Sequence, residues 1–320
     1  MSNSASASGR QAGTLQGIAL ALPITLPVMG SAMLAPVLPQ MMDYFKTVPN
    51  YDFLVPMLIA VQAIFIAIFA MPAGALADVI GRRRLLIIGM VFYAAAGIAP
   101  IFLENFYVIL VSRCFVGVAE AIVMTCGTTM IGDLFKGQAR ETWLATQSAI
   151  SAIAATILFP IAGILGNCGW RMPFWMYALS LILALGVVLF TWEPEPDASA
   201  ASKNRASWAG FPWGHVMGVC GLTIVGAILF YVFALELSIA FTETGVTKPS
   251  TIGLLTAMAT LGVPVGTIFF RALAGYSIGL LLTLEFVLIG GGLYLASHAS
   301  DFRALMCAVM VNQLGSGMML

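Results

Sequence analysis

Residues Gln11–Met42 contain no charged side chain. A helix needs about 20 apolar residues to cross a hydrocarbon core of roughly 30 Å, and this run exceeds that length. Further charge-poor runs follow it along the whole chain. In hydrocarbon a backbone must satisfy its own hydrogen bonds, which restricts spanning structures to helices and closed barrels. The dyad alternation of a membrane barrel is absent here, so the runs are read as helices. Composition agrees, since 60% of residues are hydrophobic and only 9% are charged. A soluble domain carries about 25% charged residues, so lipid bilayer is the solvent that suits this chain. A net charge of zero and two histidines exclude a basic nucleic-acid binder.

Ten spans are expected, near 15–41, 53–76, 85–103, 106–131, 143–166, 172–192, 214–237, 250–270, 275–296 and 302–320. The first is rich in proline (Pro23, Pro27, Pro36, Pro39) and should be kinked or unwound. It is too long for the apolar core of a cleaved signal peptide and is read as a retained span. Residues 1–14 then form a tail, 15–192 a six-helix bundle, 193–213 a Pro/Ser/Ala-rich linker and 214–320 a second, four-helix set. With alternating topology one face holds nine Lys and Arg residues outside the spans, the other four (Lys46, Arg171, Lys248, Arg303). The positive-inside rule therefore puts the N-terminus and the linker in the cytoplasm of a cell-membrane protein. Met71-Pro72-Ala73-Gly74 is echoed by Val263-Pro264-Val265-Gly266, and Gly117 by Gly315, as a duplicated unit would require.

The sharpest motif is Gly74-Ala-Leu-Ala-Asp78-Val-Ile-Gly81-Arg82-Arg83-Arg84, between the second and third spans. It resembles the signature that the major facilitator superfamily carries at this hairpin, with Val79 in place of a basic residue. That resemblance implies an all-α polytopic membrane fold with a complete N-terminal six-helix bundle and a partial C-terminal one. It also implies that Gly74 lets two helices approach closely, and that Asp78 pairs with arginine at a cytoplasmic gate facing an eleventh helix. That helix lies beyond the ten spans, so the resemblance implies a chain truncated after about ten helices. Arg113-Cys-Phe-Val-Gly117-Val-Ala-Glu120 resembles the family's Arg-x-x-x-Gly element in the fourth span. Gly169-Trp170-Arg171-Met-Pro173-Phe174 resembles its Gly-Trp-Arg-x-Pro-Phe element, with a structural role. In the fifth span, Pro160 and Gly163 keep part of the drug–proton antiporter motif, whereas Ala155, Phe159 and Ile164 replace its other glycines.

Charges inside a span are costly, about 2.5–3.5 kcal/mol for an arginine on insertion scales. Arg113, Gly117 and Glu120 share one helical face. Arg113 and Glu120 are expected to share a hydrated cavity, with Glu120 carrying a coupling proton and Arg113 tuning it. Gln62, Gln147, Ser151, Glu236, Asn312 and Gln313 are further cavity-lining candidates, of which the resemblance favours Glu236 and Asn312. No phosphate-binding loop is present, which disfavours ATP-driven pumping. No grouping suits a metal, a cofactor or a nucleophile, and the five scattered cysteines have no redox spacing. The expectation is a non-enzymatic, monomeric secondary transporter in the bilayer, moving small hydrophobic or amphipathic molecules outward against protons. Proton-coupled uptake of a sugar or organic anion is the alternative, and a non-transporting fragment the alternative class.

Overall fold

The prolines of the first span decide its shape. In the computed structural model, which describes residues 12–194, 213–273, 275–299 and 301–318, helix α1 (Thr14–Tyr44) is interrupted twice by 3₁₀ turns. These turns are Leu22–Ile24 and Ala35–Val37, which hold Pro23 and Pro36. Each proline removes an N–H from the helical ladder, and the tighter turn absorbs the loss. Further helices follow among the described residues. They are α2 (Tyr51–Ile80), α3 (Arg82–Ile101), α4 (Phe106–Leu134), α5 (Gln138–Gly166), α6 (Met172–Phe190), α7 (Trp213–Glu243), α8 (Pro249–Ala272), α9 (Ile278–Ser297) and α10 (Phe302–Met318). Eight of the helices described are long and apolar enough to cross a membrane. No strand occurs among the described residues. Most of the expected tail and linker lies outside them.

Two apolar cores form. One runs from Leu20 to Val187 within α1–α6, and the other from Leu237 to Val309 within α7–α10. Helix α4 is the pillar of the first. Its Gly117 lies against α2, where an added methyl would sit 2.5 Å from the Gln62 carbonyl oxygen. Gly89 of α3 receives Ile122 of α4 in the same manner. Small residues are what allow such crossings, because lipid gives helices no hydrophobic reason to associate and close van der Waals packing must do so.

The second core repeats this plan. Gly317 of α10 crosses the backbone of α8 at Val263. Gly315 faces Leu288 and Ile289 of α9. Helices α2 and α8 differ in continuity, since α2 runs unbroken through Pro72 while α8 is broken at Leu261, three residues before Pro264.

Between the cores the main contact is α5 with α8. Gly163 lies directly against the Pro249 carbonyl, and Gly253 against that of Phe159. Asn167 adds a hydrogen bond, its Oδ1 accepting from the Ser250 N–H at 3.4 Å. All of these lie at the end of α5 and the start of α8, so the two halves meet on the face opposite the α2–α3 hairpin.

Candidate functional site

Arg113 and Glu120 are both sealed inside the first bundle, at 0% and 1% exposure. Arg113 is satisfied by partners other than Glu120. Its guanidinium donates to the Tyr177 hydroxyl at 2.9 Å and to the carbonyls of Ala96 and Gly97 at 3.0 and 3.1 Å. It also lies 5.1 Å from the ring centroids of Phe174 and Tyr177. Planar forks suit such multiple acceptors, and Arg113 thereby ties α4 to α3 and α6. Among the described ion pairs none involves Arg113 or Glu120.

Glu120 meets a different group. Gly30 of α1 and Gln62 of α2 converge on it, and a methyl added at Gly30 would collide with Glu120 Oε1 and lie 2.6 Å from Gln62 Oε1. Glu120 Oε1 is buried and has no hydrogen-bond partner among the described residues. Gln62 Nε2 donates to the Leu58 carbonyl at 3.0 Å. The Gly30 carbonyl in turn accepts from the Tyr177 hydroxyl at 3.5 Å, so Tyr177 stands between Arg113 and the glycine beside Glu120.

The other cavity candidates are not gathered here. Gln147 of α5 is buried, and its Oε1 accepts from the Thr128 hydroxyl at 3.3 Å. Glu236 of α7 is exposed. Asn312 of α10 is buried against α9, where its Nδ2 donates to the Ile289 carbonyl at 3.1 Å. Among the described residues neither Glu236 nor Asn312 is hydrogen-bonded to Glu120. Helix rotation, which the order of spans does not specify, turns Asn312 toward its neighbour.

At the α2–α3 hairpin Arg82 bridges two carboxylates. It pairs with Asp78 at 3.1 Å and with Asp133 at the end of α4. Gly81 begins α3 at φ 102°, a conformation that favours glycine. Glu193, just after α6, accepts from the Arg83 backbone N–H at 3.2 Å, at the first turn of α3. Arg83 itself donates to the Val188 carbonyl at 2.7 Å. A carboxylate at a helix N-terminus is favoured by the exposed N–H groups and the dipole. At Gly74 an added methyl would meet the Thr125 methyl at 3.7 Å, an ordinary contact, whereas at Gly117 it would sit 2.5 Å from the Gln62 carbonyl oxygen.

On the opposite face Trp170 is 7% exposed and packs on Tyr44, Phe45 and Phe174. The Arg171 guanidinium lies 4.3 Å from the Trp170 centroid and 5.2 Å from that of Tyr44, and donates to the Leu103 carbonyl at 3.4 Å. Pro160 and Gly163 fall in the stretch of α5 that meets α8. Reading the sequence alone missed Tyr177, Asp133 and Glu193. Asp133 was within reach of that reading, because alternating topology puts the ends of α2 and α4 on one face.

The family model described as Major Facilitator Superfamily matches residues 24–320. The chain belongs to this superfamily. Among its relatives is the efflux pump dotC of Dothistroma septosporum (strain NZE10 / CBS 128990), 25% identical over 223 residues, which cover 68% of this chain and 36% of that protein. Another is the sphingosine-1-phosphate transporter SPNS2 of Danio rerio, 26% identical over 54% of this chain and 35% of its own. The chain therefore spans about a third of the length of these relatives. A bacterial homolog of the human lysosomal transporter Spinster, in an inward-facing and unoccupied conformation, superposes with a TM-score of 0.74 at 16% identity. The match covers 95% of this chain and 72% of that one. A D-xylose–proton symporter gives 0.72 at 14% identity, over 94% and 79%. At these identities the likeness is one of fold. Val79, which stands where the superfamily's signature is basic, is 84% exposed, and it is Arg82 that binds both carboxylates of the hairpin.

Proposed function

We infer that this chain is part of a secondary transporter that works by alternating access and exports small hydrophobic or amphipathic molecules in exchange for protons. The observation that carries the reading is Glu120, a carboxyl buried within a bundle of spans with no cation paired to it among the described residues. Burying an unpaired carboxylate is expensive, and such a group becomes affordable when it exchanges a proton during the cycle. The efflux pump and the sphingosine-1-phosphate transporter among its relatives support an outward, amphipathic cargo. Two bundles, 15–192 and 214–320, rock against each other, so that the α5–α8 contact opens as the opposite face closes. The Asp78–Arg82–Asp133 cluster holds the cytoplasmic end of the first bundle, and the Trp170–Arg171 turn anchors its other end. The protein acts as a monomer in the cell membrane with its N-terminus in the cytoplasm.

Counterflow in liposomes containing a pH-sensitive dye tests this reading. Protons should move opposite to substrate, and Glu120→Gln should abolish the proton flux while leaving substrate exchange. Protons moving with substrate fit sugar or organic-anion symport instead. Unchanged proton coupling in Glu120→Gln removes the carboxyl from the mechanism.

A further inference from the structure

The Gly30 notch brings together two oxygens that cannot bond each other without a proton. Gln62 Nε2 donates to the Leu58 carbonyl, and this fixes which way the amide points, since a flipped amide would set its oxygen against that carbonyl. Gln62 Oε1 is thereby left facing the same notch as Glu120 Oε1. An amide oxygen and an ionised carboxylate are both acceptors only. Glu120 Oε1 has no donor among the described residues, and both side chains are buried. Among the described residues, Glu120 Oε1 can meet Gln62 Oε1 favourably only if it carries the hydrogen.

We propose that Gln62 is a positioning residue for the proton on Glu120. The protonated carboxyl donates from Oε1 to Gln62 Oε1 across the notch, and Gly30 is the one residue small enough to leave that space open. Release of the proton removes the donor and leaves two facing acceptors, which drives the α1–α2–α4 contact apart. The notch thus converts a protonation event into a change in packing between three helices. This rests on Glu120 as the proton carrier, and it adds the two residues that shape its site.

Infrared difference spectra of the purified chain in nanodiscs, recorded across pH, read the site without any transport. A carboxylic C=O band that vanishes in Glu120→Gln should appear in the protein. In Gln62→Met, which keeps side-chain length and loses the acceptor, that band should shift toward the frequency of a free acid. In Gly30→Ala it should shift or be lost as the methyl displaces the carboxyl. Thermal unfolding of each variant shows whether it is folded, and Gln62→Met carries the test if Gly30→Ala is not. A Glu120 band unmoved by Gln62→Met overturns the proposal. So does loss of the band on adding sodium at constant pH, which would make the notch a cation site. Failure of Glu120→Gln to alter proton flux overturns the functional reading separately, because the band assignment does not depend on flux.

Discussion

Arg113 makes three hydrogen bonds to groups of α3 and α6, so its contribution is structural before it is electrostatic. Hydrogen bonds to charged groups are worth about 1.5–3 kcal/mol each, and orphaned buried partners add their own cost. Tyr177→Phe removes one of them and is expected to lower stability by about 2 kcal/mol. Arg113→Ala strands the Tyr177 hydroxyl and two carbonyls and should cost clearly more. Arg113→Lys should fall between, since an ammonium cannot reproduce the planar fork. Thermal unfolding in detergent gives the order, and an Arg113→Ala no less stable than Tyr177→Phe would contradict this account. The sequence placed Arg113 and Glu120 on one helical face from their spacing. It could not tell that Tyr177 and the end of α3 reach the guanidinium first, because that depends on how α6 is rotated. Tyr177 was one aromatic residue among many.

Which glycines let the helices approach is decided by rotation. The signature glycine, Gly74, has room for a methyl, whereas at Gly117 a methyl would sit 2.5 Å from a carbonyl oxygen of the facing backbone. Gly117→Ala should therefore cost about 1–3 kcal/mol as overpacking. Gly74→Ala should be neutral or slightly stabilising, since alanine is the better helix former by about 1 kcal/mol. Parallel unfolding curves of the two variants check this, and equal losses at both sites would refute it. Eight of the ten expected spans coincide with described helices long and apolar enough to cross a membrane, and they were legible because hydrocarbon thickness sets helix length. Which glycine packs against which neighbour was not, since glycines recur throughout these helices. The break in α8 near Pro264 needed the structure too, as Pro72 sits in an unbroken helix.

Contacts between the two halves gather on one face, chiefly where the end of α5 meets the start of α8. If the halves rock, this contact must open when the opposite face closes, and a covalent bond across it should stop the cycle. Asn167 and Ser250 mark the place, already joined through a hydrogen bond from backbone N–H to side-chain oxygen at 3.4 Å. A disulfide needs Cβ atoms about 3.5–4.5 Å apart, which residues in such contact can reach with small adjustments. Asn167→Cys combined with Ser250→Cys should cross-link under mild oxidant, provided the neighbouring exposed Cys168 is first replaced by serine. Substrate flux in liposomes should fall to background when the bond forms and return on adding reductant. The sites lie away from Glu120, so the carboxylic infrared band should persist in the locked protein, and this separates loss of motion from loss of the proton site. Full flux in the cross-linked protein would show that this face need not open during transport.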